Sequence, residues 1–178
     1  MSGLLLHICC GPCATAVVER LRDEYDITCF FFNPNIHPEE EYMRRLEAAR
    51  EVSRRLECDL IEGEYEPSLF MNAVRGLEHE PENGARCSVC FRQRLSETAR
   101  VASERGFDMI ASTLTIGPMK KASVIDPIGA EEASRFDVAF LEGDWKKKDG
   151  FKRSCELSKE YDLYRQHYCG CIFSMREE

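Results

Sequence analysis

Apolar residues fall along the chain in two rhythms. Short, nearly unbroken runs at residues 4–8 (LLLHI), 27–32 (ITCFFF), 109–113 (MIAST) and 138–141 (VAFL) read as buried strands, with 59–62 (DLIE) a shorter one. Between them lie charged stretches whose composition and three-to-four-residue apolar spacing predict helices at 14–21, 38–56, 67–74, 88–105, 127–134 and 154–164. The punctuation agrees: Gly11-Pro12 follows the first strand, Pro38 stands in the first turn of a long helix, and Gly106 closes another. Strands alternating with helices imply βα units. The expected architecture is a single α/β domain over 1–178, with a mostly parallel, Rossmann-like sheet flanked by helices on both faces.

In open α/β sheets, ligands bind outside the carboxyl ends of the strands. Three loops qualify: Cys9-Cys10 after the first strand, "NPNIH" after the second and "TLTIGPMKK" after a later one. They are expected to converge on one cleft.

Composition narrows the chemistry. The chain has 178 residues, ten of them cysteine, and a net charge of −8, so its field as a whole repels nucleic acid. RNA binding would need a local basic patch, and residues 145–153 (WKKKDGFKR) are the candidate. The opening "MSGLLLHICC" lacks a basic segment, and its apolar run is too short for a signal peptide or a membrane span, which places the protein in the cytoplasm. Reducing compartments disfavour structural disulfides, so the cysteines point to metal binding or redox catalysis.

The cysteines are grouped. Cys9, Cys10 and Cys13 lie where a strand gives way to a helix, whose amino end stabilises a thiolate. Cys87 and Cys90 form a CxxC near a helix start, and Cys169 and Cys171 flank a glycine. Cys29 reads as a small buried hydrophobe, while Cys58 and Cys155 are isolated. Two pairs supply four thiolates, enough for zinc or for an iron–sulfur cluster; an adjacent Cys-Cys pair fits the usual zinc knuckle poorly.

The motifs "LLLHICCGPCA", "FFNPNIHPEEEYMRR", "ARCSVCFRQRLSETA" and "LSKEYDLYRQHYCGCIFS" together resemble the QueH family of cobalamin-independent epoxyqueuosine reductases. One departure stands at Ile116-Gly117-Pro118, where related sequences more usually carry a serine before the proline. The resemblance implies reduction of an epoxide to an alkene on a tRNA base in the anticodon wobble position, with water lost. It implies a [4Fe–4S] cluster on Cys9, Cys10, Cys87 and Cys90, with Cys13 in reserve, and an adjacent mononuclear iron would suit C–O cleavage as a Lewis acid. Cys169 and Cys171 become candidates for a dithiol relay fed by an electron donor, and Tyr164 and His37 candidates for the acid. Lys120, Lys121, Trp145, Lys146, Lys147, Lys148, Arg165 and Gln166 become candidate tRNA contacts, and segment 142–178 is expected to complete the active site. The fold implied is similar to the nucleotide α-hydrolase (PP-loop-like) group, with "CCGPC" where that group carries its phosphate loop. Two other readings stay open, a non-catalytic zinc protein that binds tRNA and a thiol-disulfide oxidoreductase.

Overall fold

Leu4, Leu5, Leu6 and Ile8 are wholly excluded from solvent because the first strand lies at the centre of the sheet, covered on both faces. The computed structural model describes residues 1–175. Its elements run β1 (Ser2–His7), α1 (Gly11–Leu21), β2 (Tyr25–Phe31), α2 (Glu39–Leu56), β3 (Asp59–Glu62), α3 (Pro67–Ala73) and α4 (Ala85–Arg105). They continue with β4 (Met109–Ser112), α5 (Ala122–Arg135), β5 (Ala139–Phe140) and α6 (Gly150–Glu160), with short 3₁₀ turns at Leu114–Ile116 and Ile172–Ser174. The five strands are ordered β3-β2-β1-β4-β5, every neighbouring pair parallel. Leu4 pairs with Ile27 on one side and Met109 on the other.

Alternation along the strands divides the core. Leu4, Leu6, Cys29 and Phe31 pack with Val17 and Val18 of α1 and Leu46 and Val52 of α2. Leu5, Phe30 and Ile110 face the other way, onto Ala99 and Ala102 of α4 and Ala133 of α5. Each such aliphatic or aromatic side chain contributes about 1.5–3 kcal/mol relative to exposure. Among the described residues, no helix is long and apolar enough to cross a membrane.

The elements match the sequence pattern in kind and order, and several helix limits differ; α1 begins at Gly11, three residues before the expected start. α4 begins at Ala85, before the expected 88, which brings Cys87 into its first turn. α5 begins at Ala122 and carries Pro127 in its interior; that proline is exposed, so water can serve the carbonyl it leaves unbonded. α6 runs earlier than expected and stops at Glu160, leaving 161–171 as irregular chain that folds back over the sheet's carboxyl edge.

Trp145 is a correction. It is only 7 % exposed; its indole N–H donates to the Ser112 carbonyl at 2.7 Å and its amide to Thr115 Oγ1 at 3.2 Å. Gly143 is dictated by it, since a Cβ there would stand 2.4 Å from the indole ring. Trp145 closes the core and offers no stacking platform for RNA.

Candidate metal centre

Cys10 is the N-cap of α1, its sulfur accepting from the Cys13 amide at 3.4 Å where a serine or aspartate oxygen usually serves. Gly11 permits this: a Cβ at that position would lie 2.5 Å from the Ala48 carbonyl of α2. The strand-to-helix turn thus gathers three sulfurs, those of Cys9, Cys10 and Cys13, all within 4.8 Å of one another, with Cys9 and Cys10 4.0 Å apart. Cys13 is a full member of this group. Hydrogen bonds from the Cys10 and Cys13 thiols hold Cys9 well below the ordinary thiol range, aided by the nearby Arg94 charge. Burial pushes Cys10 up to about 12.

A second group adjoins the first. Cys87 and Cys90 lie one turn apart on α4, and with Cys169 and Cys171 they line one small cavity. The Asn83 amide donates to Cys87 Sγ at 3.2 Å, and burial pushes Cys90 up to about 11. Cys9 packs against the apolar cluster that contains Cys87, so the two sulfur groups share a wall.

Cations converge here, which sequence reading did not anticipate for Arg94. That residue is 1 % exposed and lines the cavity; its charge bears on Cys90, Cys169 and Cys9. Its Nε and Nη2, and both amide atoms of the cavity-lining Asn35, lack hydrogen-bond partners among the described residues. Lys120 Nζ stands 3.2 Å from Cys169 Sγ, so this lysine partners a sulfur in the cavity, and not a phosphate as expected. Gln166 is corrected likewise: its amide donates to Cys10 Sγ at 3.0 Å and reaches Cys13 Sγ at 3.9 Å. Seven thiols ringed by buried cations and unpartnered N–H groups fit an iron–sulfur cofactor, because the thiolates ligate and the donors offset negative charge.

A sequence model described as epoxyqueuosine reductase QueH matches residues 4–177. The chain belongs to the QueH family. It is 42% identical to the epoxyqueuosine reductase QueH of Streptococcus pyogenes serotype M1, over 98% of this chain and 71% of the relative. The protein of that name from Thermotoga maritima is 34% identical over 99% of this chain and 92% of its own. Two solved structures share the fold at 14% identity. The U34-tRNA thiolase NcsA from Methanococcus maripaludis, described with its [4Fe–4S] cluster, has a TM-score of 0.58, covering 98% of this chain and 62% of that one. A predicted tRNA methyltransferase subunit from Methanocaldococcus jannaschii has 0.54, covering 88% and 76%.

Other residues singled out for QueH chemistry are dispersed. The Tyr164 hydroxyl donates to Glu41 Oε2 at 2.7 Å, and burial together with that carboxylate holds the phenol above its usual range; it braces the C-terminal segment and is not free as an acid. His37 is exposed at the rim, its amide donating to the Gly170 carbonyl at 2.8 Å and its carbonyl accepting from the Tyr168 hydroxyl. His7, adjacent in sequence to the sulfurs, is a packing residue. Nε2 donates to the Phe32 carbonyl at 3.0 Å and Nδ1 accepts from Ser112; burial lowers the ring to about 4, so it is neutral.

Lys121 and Arg165 are exposed near the site. Lys146 and Lys147 pair with Asp144 at 2.6 and 3.6 Å, and Lys147 and Lys148 face solvent. Arg153 is taken up by Glu19, so the basic run is partly neutralised. Cys29 and Cys58, assigned no chemistry, lie 3.8 Å apart on the α2 side of the sheet. The expected domain limits and segment 142–178 include 176–178, which lie outside the described residues.

Proposed function

We propose that this chain reduces epoxyqueuosine in tRNA to queuosine with a [4Fe–4S] cluster on Cys9, Cys10, Cys87 and Cys90. Cys13, grouped with Cys9 and Cys10, is a further donor. The observation that carries this reading is the meeting of Cys87 and Cys90 with Cys169 and Cys171 around one cavity, next to the sulfurs of the α1 turn. When bound, a cluster supplies one-electron transfer, and an adjacent mononuclear iron would supply Lewis acidity toward an epoxide oxygen.

The chain's own residues account for the remainder. Cys169 and Cys171 together hold two protons and two electrons as thiols. Converting the epoxide to an alkene consumes both pairs: two C–O bonds break, the oxygen leaves as water, and the thiols become a disulfide. An electron donor from outside then restores the dithiol. Lys120 holds its ammonium against Cys169 Sγ, and Arg94 balances charge between the sulfur groups. Gln166 fixes the α1 sulfurs from the C-terminal side, which makes segment 161–171 part of the site. The substrate's presence in the cytoplasm, with other tRNA, belongs to the same reading.

The deciding experiment measures iron, acid-labile sulfide and zinc on anaerobically purified protein, followed by turnover of epoxyqueuosine-containing tRNA. About four irons with matching sulfide, plus turnover, is the expected result; iron in excess of sulfide supports the second ion. Zinc without sulfide, and no turnover after anaerobic reconstitution, overturns the proposal in favour of a structural metal site.

A further inference from the structure

Two cysteines outside the metal centre meet on the α2 side of the sheet. Cys29 stands in the middle of β2, opposite Leu6 of β1 and Leu60 of β3. Cys58 lies in the turn between α2 and β3. Their sulfurs are 3.8 Å apart, and both pack in the core cluster that α1 and α2 cover. Neither belongs to the group formed by Cys9, Cys10 and Cys13, and neither lines the cavity shared by Cys87, Cys90, Cys169 and Cys171.

The two differ in access. Cys29 is wholly excluded from solvent, so a solute reaches the pair through Cys58, which is only half-buried. They differ in charge as well. A hydrogen bond from the Cys29 thiol lowers Cys58 to about 7, helped by Ser53 and the Arg22 charge against the effect of burial. The same bond, with burial, holds Cys29 well above the ordinary thiol range. The Ser53 hydroxyl, buried on α2, makes no well-formed hydrogen bond among the described residues, and it favours the charged form of both sulfurs. A reachable thiolate backed by a buried thiol in contact with it is the arrangement of an oxidisable cysteine with its resolving partner.

We propose that Cys29 and Cys58 are a reversible oxidation site, closed to a disulfide by hydroperoxides. The Cys58 thiolate attacks the peroxide; an S–O bond forms, the O–O bond breaks, and the departing hydroxide recovers the proton that Cys58 had released. Cys29 then attacks the resulting sulfenic sulfur. The S–S bond forms, the S–O bond breaks, and the oxygen leaves as water with the Cys29 proton. Two thiols give up two electrons, the peroxide takes them, and two waters are released from hydrogen peroxide. Cys58 lies outside helix and strand, where the chain can yield the further approach that a disulfide requires. β3 is an edge strand, so the new bond pins it to β2 and closes a loop that contains the whole of α2.

The test treats anaerobically purified, cofactor-loaded enzyme with a small excess of hydrogen peroxide, blocks the remaining thiols by alkylation and maps disulfides by mass spectrometry. Trypsin serves well, because the peptides 23–44 and 56–75 each carry one cysteine, Cys29 and Cys58. The expected result is a cross-link between these two peptides that dithiothreitol removes. In Cys29→Ala, Cys58 is expected to stop at the sulfenic acid, trapped by dimedone. Cys58→Ser, at the half-buried position, keeps the test open if the core variant folds poorly: its Cys29 is expected to stay reduced. Oxidised wild type should melt about 5–10 °C above equally treated Cys58→Ser. Cys58 driven to sulfinic acid beside an unmodified Cys29, either peptide joined mainly to another cysteine, or both cysteines left as thiols would overturn the proposal.

Discussion

Arg45, on α2, donates from Nη1 to the carbonyl of Cys169 at 2.9 Å, so a core helix sets the position of a cysteine 124 residues away. Its Nη2 donates to the Tyr168 carbonyl at 2.9 Å, and its Nε to Glu41 at 2.8 Å. Glu41 in turn accepts from Tyr164. The buried ion pair is thus a clasp, which joins the His37–Gly170, Lys120–Cys169 and Gln166–Cys10 bonds in holding the loop that carries Cys169 and Cys171 against the sheet's carboxyl edge.

Gly170 is the residue that lets the clasp close. Its φ of +123° favours glycine, and a Cβ would sit 2.9 Å from Arg45 Nη1 and 3.1 Å from Ile36. Gly170→Ala is expected to cost about 1–3 kcal/mol locally, speed alkylation of Cys169 and Cys171 in apo protein, and lower turnover at least tenfold. Thiol-trapping rates followed by mass spectrometry check this; rates equal to wild type would mean that the loop is held some other way.

The cysteines are expected to separate by phenotype. Cys87→Ser or Cys90→Ser should prevent iron–sulfur assembly, and full iron occupancy in either would remove that residue from the ligand set. Changing Cys169 and Cys171 together should preserve iron and sulfide but stop turnover. Cys13→Ser should lower iron content if the α1 sulfurs act as a group, as their spacing within 4.8 Å suggests.

Lys147 and Lys148 are the solvent-facing members of the basic run. If both meet phosphates, replacing them with alanine should weaken tRNA binding and reduce the slope of log affinity against log salt by about 1.5. Filter-binding or fluorescence titrations at several salt concentrations give that slope. An unaltered slope would make the run a solvated loop.

Asp126, on α5, supplies a pH prediction. Burial, then Glu142 and Asp144, raises its carboxyl to about 6, although the Gly143 amide opposes the shift. The folded state therefore binds the proton more readily than the unfolded state, whose carboxyl titrates near 3.9. Its contribution favours folding at low pH and is lost as pH rises from about 4 through 6. Asp126→Asn should stabilise the protein by about 1 kcal/mol at pH 7.5, after allowing for its partial exposure, with the gain fading toward pH 4. Denaturant unfolding at pH 4.5, 6 and 7.5 would expose a constant difference, which the prediction forbids.

The fold was legible because strand burial and helix amphipathicity leave local marks: LLLHI and ITCFFF could only be strands of a covered sheet. The site was legible as far as cysteine spacing reached. What stayed hidden depends on tertiary geometry. Gln166 and Lys120 look like RNA contacts in sequence, yet the fold turns one onto the α1 sulfurs and the other onto Cys169. Trp145 sits beside a lysine run and is nevertheless core. Arg94 lies within an ordinary amphipathic helix, and nothing local distinguishes a buried guanidinium from its exposed neighbours. Cys29 and Cys58 meet only because the chain between α2 and β3 lands beside the middle of β2.

With every strand parallel, the residues that carry chemistry lie along one edge of the sheet, and the short returns from helix to strand lie along the other. Asp23, between α1 and β2, is exposed on that quiet edge. A fluorophore or a surface tether attached there would point away from the cysteines, giving single-molecule or biosensor work a mounting point that leaves the sulfurs untouched.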